Sequence, residues 1–220
     1  MKLVKIEKNQ SGGRLDKFLL KYLDRAGSGF IYKMLRKKNI TLNGKKADGS
    51  EKLNVGDEIK IFLSDETFEK FSSRNAPQDN ELKPYEALKS TKEYKMLQII
   101  YEDENILLIN KPAGLLSQKA KDTDISINEY AIAYLLDKGV VSAADFKTFK
   151  PSICNRLDRN TTGLITVGAS MEGVRALSLG FKERTFDKYY VCIVSGIVKE
   201  GARITGYLAK KREDQSGNDS

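Results

Sequence analysis

The surplus of positive charge stops at Leu63, and that boundary splits the chain into two modules built on different plans. Residues 1–63 hold 15 Lys and Arg against 7 Asp and Glu, whereas residues 64–220 hold 23 against 23. Before the boundary the apolar residues follow helical spacing and then short alternation. After residue 97 they gather into compact apolar runs separated by polar turns. A compact basic module beside a neutral body is the electrostatic footprint of a nucleic-acid handle. A generic basic surface or a membrane-surface patch is the competing reading.

Within the first module, Leu15, Phe18, Leu19, Tyr22 and Leu23 share one helix face. Gly27-Ser28-Gly29 ends that helix, with Ser28 as a possible cap for a second one carrying Ile31, Met34 and Leu35 inward. Lys33, Arg36, Lys37 and Lys38 fall largely on its other side. Ile40-Thr41-Leu42 then runs into Asn43-Gly44, a tight hairpin signal, and Asn54–Asp57 is a turn before an alternating strand over 58–63. Residues 64–97 are polar and turn-rich and read as a linker, with one irregular helix near Tyr85–Leu88. Beyond it come expected strands over 97–102 and 106–110, helices over 126–138 and 172–183, a β-rich run over 186–194, and a disordered tail from 209. The whole predicts an α+β chain: a helix pair with a small sheet, then a mixed, mainly antiparallel sheet flanked by helices.

The chain has no histidine. That excludes Ser-His-Asp and Cys-His catalysis and imidazole-based zinc sites, and leaves carboxylates, Tyr, Lys, Arg, Ser and Cys for chemistry. Cys154 and Cys192 lack metal-ligand spacing and read as buried, unpaired thiols of a reducing cytoplasm. No apolar run reaches the ~20 residues a membrane helix needs. A soluble, cytoplasmic monomer is the expectation.

The chemistry concentrates in Cys154-Asn155-Arg156-Leu157-Asp158-Arg159-Asn160-Thr161-Thr162-Gly163-Leu164. A carboxylate lies between two arginines just before an apolar strand. Flanking positive charge favours the ionised form, which can act as nucleophile or base. The arginines can grip a phosphate or the edge of a displaced base. By spacing alone, a structural ion-pair cluster explains the segment at least as well.

Asn155-Arg156-Leu157-Asp158 followed by Thr162-Gly163-Leu164 resembles the signature of the RluA family of pseudouridine synthases. Two further segments agree and stand in family order. Tyr101–Gly114, ending Asn110-Lys111-Pro112-Ala113-Gly114, resembles the opening strand and the turn beside the active cleft, and Lys188–Gly196 resembles the Lys-x-Tyr strand. Upstream, Arg14–Leu19, the basic second helix, Ile40–Lys45 and Val55-Gly56-Asp57 look like the RNA-binding domain first recognised in small-subunit ribosomal protein four. The resemblance implies domains at 1–63 and 98–208. It implies isomerisation of uridine in ribosomal RNA, with large-subunit RNA the expected partner.

Carried over, it makes Asp158 the catalytic carboxylate and Tyr190 the active-site aromatic. Arg156 fills the space of the extruded nucleotide. Arg159, Lys188 and Asn155 join it as substrate-contacting positions. Arg14, Lys17, Lys33, Arg36, Lys37, Lys38 and Lys45 become the RNA contacts of the basic module. Read only from the residues, strand core is the competing reading for Tyr190, a solvated strand residue that for Lys188, and Lys111–Gly114 reads as a structural turn. The reaction needs no outside group, so no cofactor or metal is expected. The family's later Thr-Gly-Arg motif, with its His-Gln-Ile-Arg run, does not occur here. The chain therefore reads as a shortened synthase, or alternatively as a catalytically incomplete RNA-binding fragment.

Overall fold

The computed structural model describes residues 1–72 and 79–207. The expected disordered tail over 209–220 lies outside the described residues. By its internal contacts the chain forms two units, Met1–Phe186 and Asp187–Ser220.

The first unit begins with strand β1 (Lys2–Lys5) and a 3-10 turn at Lys8–Gln10, then helices α1 (Leu15–Tyr22) and α2 (Ser28–Arg36). Strands β2 (Ile40–Leu42), β3 (Lys45–Lys46) and β4 (Glu58–Ile61) complete an antiparallel sheet of order β1-β4-β2-β3. The β2–β3 hairpin closes through Asn43 and Gly44, both at positive φ (50° and 73°), as a two-residue turn of that hand demands. The α1 face reads as expected: Leu15, Phe18, Leu19 and Leu23 are buried, and they pack with Ile31, Met34 and Leu35 of α2 against Ile40, Ile59 and Ile61 of the sheet. Gly27, not Ser28, stands at the N-cap of α2, and no side chain caps that helix.

Residues expected as a linker instead hold α3 (Asp65–Phe71), α4 (Asp79–Leu88) and α5 (Lys92–Lys95). Ser64 caps α3 by accepting from the Thr67 amide, and Thr91 caps α5 by accepting from Tyr94. Helix α4 continues through Pro84 and delivers Tyr85 and Leu88 into the second core. The irregular helix expected near Tyr85–Leu88 is thus the second half of α4, and α3 and α5 are additional to it.

The second core lies on an antiparallel sheet of order β5-β6-β8-β7, built from β5 (Gln98–Glu102), β6 (Ile106–Lys111), β7 (Ser152–Ile153) and β8 (Gly163–Gly168). Helix α6 (Ile127–Asp137) covers it, started by a capping box between Ser126 and Glu129. Helix α7 (Met171–Lys182) follows β8, close to the helix expected over 172–183, and buries Gly173, Leu177 and Gly180. Small residues are needed there: a Cβ on Gly173 would sit 1.9 Å from the Asn105 carbonyl oxygen. The same carbonyl accepts from the Ala169 amide at 2.8 Å, so the β8–α7 connection is tied to the β5–β6 turn.

The two cores dock on one another. Asn9 Nδ2 donates to the Val140 carbonyl at 2.9 Å, and Lys8 pairs with Glu104. Lys147 donates to Ser72 Oγ at 3.0 Å and lies 4.1 Å from the Tyr22 ring centroid.

The second unit, described by itself over Asp187–Tyr207, contains no helix or strand. The β-rich run expected over 186–194 is therefore absent. Its apolar alternation is real, but a strand exists only through ladder partners, and no strand among the described residues pairs with it. Cys192 is exposed and Cys154 half-buried, which corrects the expectation of two buried thiols; a thiol in an unpaired segment has nothing to cover it.

Candidate active site

Antiparallel pairing of β6 with β8 builds the site. The register sets Lys111, the last residue of β6, opposite Gly163, the first of β8. The loop leaving β6 and the loop entering β8 therefore emerge side by side, and they are stitched together. The Gly114 amide donates to the Arg159 carbonyl at 2.9 Å, and Arg159 Nε returns a bond to the Gly114 carbonyl at 3.0 Å. Ser117, buried, clamps Leu157 from both sides: its Oγ donates to the Leu157 carbonyl at 2.6 Å and accepts from the Leu157 amide at 3.0 Å.

This clamp sets the orientation of the Arg156-Leu157-Asp158 triplet. Leu157 turns inward against the second core, while Arg156 and Asp158 on either side are exposed. The Asp158 carbonyl accepts from the Thr161 amide at 3.1 Å, closing a tight turn behind the carboxylate. Among the described residues Asp158 makes no salt bridge with Arg156 or Arg159. The ion-pair-cluster reading of the segment is thus not what forms: Arg159 is engaged with backbone instead.

Lys111 is the residue that sequence reasoning set aside as part of a structural turn. It is 0% exposed, and its ammonium donates to three carbonyls: Pro112 and Leu115 at 2.9 Å each and Arg159 at 3.0 Å. Burial pushes its pKa below the ordinary 10.5, and the negative charge of Asp158 acts in the opposite sense. A buried cation beneath an exposed carboxylate ties that carboxylate's loop to the end of β6. Only an apolar strand running into Lys-Pro hints at this, because the acceptors are all backbone.

Asn155 is also taken up by structure. Its Oδ1 accepts from the Thr166 amide at 2.7 Å and the Thr166 hydroxyl at 3.1 Å, and its Nδ2 donates to the Leu164 carbonyl at 2.9 Å. Its amide thus binds β8 and anchors the start of the loop. Tyr190, 65% exposed, and Lys188, also exposed, belong to the second unit.

Of the basic residues expected to contact RNA, Lys17, Lys33, Arg36, Lys37, Lys38 and Lys45 are exposed. Arg14 is exposed as well, but its guanidinium forks onto the Asp16 carboxylate at 3.1 and 2.9 Å. Tyr32 donates to the same carboxylate at 2.8 Å, so the pair also links α1 to α2.

The comparisons agree with this geometry. The family model described as RNA pseudouridylate synthase matches residues 105–220, a span that takes in β6, the Lys111 turn and the Asp158 loop. The ribosomal large subunit pseudouridine synthase C of Rickettsia bellii is 35% identical over 183 residues, covering 83% of this chain and 56% of that protein. The protein of the same name from Vibrio vulnificus is 28% identical over 221 residues, covering 98% of this chain and 62% of it. The chain thus spans little more than half the length of these relatives. A solved human RNA pseudouridylate synthase domain containing 4 aligns over 48% of this chain and 35% of its own, with 20% identity and a TM-score of 0.34, an overlap that adds nothing to the fold described above. With the matched span reaching over half the residues and enclosing the whole Lys111–Asp158 assembly, the chain belongs to the RNA pseudouridylate synthase family.

Proposed function

We propose that the chain isomerises uridine to pseudouridine in ribosomal RNA, with the large-subunit RNA as substrate and Asp158 as the catalytic carboxylate. The observation that carries this reading is a carboxylate held out into solvent by a rigid loop, over a buried ammonium, and spent on no salt bridge among the described residues. A structural aspartate would be consumed by its neighbours; this one is presented.

The reaction breaks the bond between the sugar's anomeric carbon and N1 of uracil, turns the base, and joins the same carbon to C5. C5 gives up its hydrogen as a proton and N1 gains one, so no electrons are exchanged and no other group is transferred. Asp158 acts at the sugar or at the ring, Tyr190 serves as aromatic platform and proton acceptor, and Arg156 takes the place of the extruded nucleotide. Arg159 and Lys188 support the bound base. The target nucleotide has to leave its stack, at a cost of a few kcal/mol that basic contacts offset. Residues 1–63 serve as the RNA-binding domain and 98–208 as the catalytic domain. The protein works as a cytoplasmic monomer. Among the described residues, no helix is long and apolar enough to cross a membrane.

The test is release of tritium from large-subunit RNA transcripts labelled at uridine C5. The chain is expected to release it and Asp158→Asn to release none while binding RNA equally. RNA binding without release by the unaltered chain would favour the alternative of a catalytically incomplete RNA-binding fragment.

A further inference from the structure

Where the two cores dock, helix α1 and the first turns of α7 enclose a hollow of about 390 Å³. Four cations line it: Arg14, Lys17 and Lys21 from the α1 side and Arg175 from α7, with no carboxylate among the lining residues. Phe18 and Met171 give it an apolar floor. Lys17 and Lys21 stand one helical turn apart, about 5–6 Å between Cβ atoms, a separation that successive phosphates of a sugar–phosphate chain can match. Arg175 lies across from them, against the backbone of Gly12: a Cβ built there would sit 3.8 Å from its guanidinium. Past Lys21 the surface continues into a second hollow of about 420 Å³ that carries Lys147 and Lys150 along with Asp24.

We propose that this junction groove is a composite site for the phosphodiester backbone of the substrate RNA, in which Arg175 of the second core completes a cationic wall begun by α1. The inference rests on the RNA-directed function proposed above and adds where the strand runs. Phosphates meet Lys17, Lys21 and Arg175, and a ribose or base face lies over Phe18 and Met171. Neither core makes the groove alone. It exists because Asn9, Lys8 and Lys147 hold the cores together, which lets one strand of RNA register the basic module against the module carrying Asp158. Charge arrangement favours a polyanion over an apolar partner, and regular spacing on one helix favours a repeating polyanion.

The test measures binding of the 220-residue chain to a large-subunit RNA transcript across a salt series. The double variant Lys21→Gln/Arg175→Gln is expected to bind roughly tenfold more weakly, and its slope of log affinity against log salt to fall by about 1.5–2. Arg175→Lys keeps the slope, and Lys95→Gln, on the exposed side of α5, changes neither quantity. Binding by the double variant equal to the parent, or weaker binding with an unchanged slope, overturns the groove while leaving the functional proposal standing. Failure of the unaltered, folded chain to bind RNA at any salt overturns both.

Discussion

The Lys111 ammonium donates to the Arg159 carbonyl across 3.0 Å, and through that bond the end of β6 holds the residue next to Asp158. Its other two acceptors, Pro112 and Leu115, belong to its own turn. One side chain therefore fixes the turn it starts and the loop carrying the carboxylate. If Lys111 is replaced by Met, Arg159 keeps the Gly114 amide, but the Pro112 and Leu115 carbonyls lose their donor. We expect a loss of about 1.5–3 kcal/mol, the range for hydrogen bonds made by a charged group. Urea unfolding checks this, and an unchanged midpoint would mean that water replaces the ammonium without cost.

Ser117 offers a sharper test of the clamp on Leu157. Ser117→Ala removes both of its bonds to the Leu157 backbone, with an expected loss of about 1–2 kcal/mol. The local readout is amide hydrogen exchange. Protection of the Leu157 amide should fall well beyond the global change in stability, while the β6 amides should follow the global change. Equal loss at both places would refute a local clamp.

Glycine positions should divide by what surrounds them. Gly173→Ala drives a Cβ to 1.9 Å from the Asn105 carbonyl oxygen, a backbone atom that cannot swing aside. A loss of about 3 kcal/mol or more is expected, at the upper end of what overpacking costs. Gly29→Ala in α2 meets nothing within 4 Å. It should gain from a few tenths to about 1 kcal/mol through helix propensity. Thermal melts of both variants decide the matter, and the opposite order of midpoints would contradict this packing.

Acid should loosen the basic module through Asp16. Burial on its own would raise that carboxyl, but hydrogen bonds from Tyr32, Arg14 and the Lys17 amide outweigh it and hold the pKa below 3.8. The unfolded chain then takes up the proton first as the pH falls. The stability Asp16 contributes is complete above 3.8 and drains away as the pH drops through the lower value held in the fold. Asp16→Asn should therefore lose less stability than the parent between about pH 6 and about pH 3, read from urea midpoints. An identical pH dependence in the two would place the acid sensitivity elsewhere.

The parts of the fold legible in the sequence are those that depend on neighbours along the chain. Helix α1, the Asn43-Gly44 hairpin, β6 and α6 follow from periodicity, turn chemistry and caps, and all four formed where expected. The second half of α4 stands where an irregular helix near Tyr85–Leu88 was expected, while α3 and α5 lay hidden in a polar, turn-rich segment although Ser64 and Thr91 cap them. The exposed carboxylate was found from its motif. Its supports were not: the three partners of Lys111 and both partners of Ser117 are backbone atoms, which carry no residue-type signal. The absent strand over 186–194 failed for the complementary reason, since alternation states a preference and cannot supply a partner.

The ladder that sets Lys111 against Gly163 carries one more implication. Side chains on a strand change face with every residue, so sliding β8 by a single position would turn Ile165 and Val167 outward and shift the Arg159 carbonyl away from the ammonium that holds it. Misalignment would thus expose the interior and unseat the Asp158 loop in one event, so the register that buries the core is also the one that sets the loop.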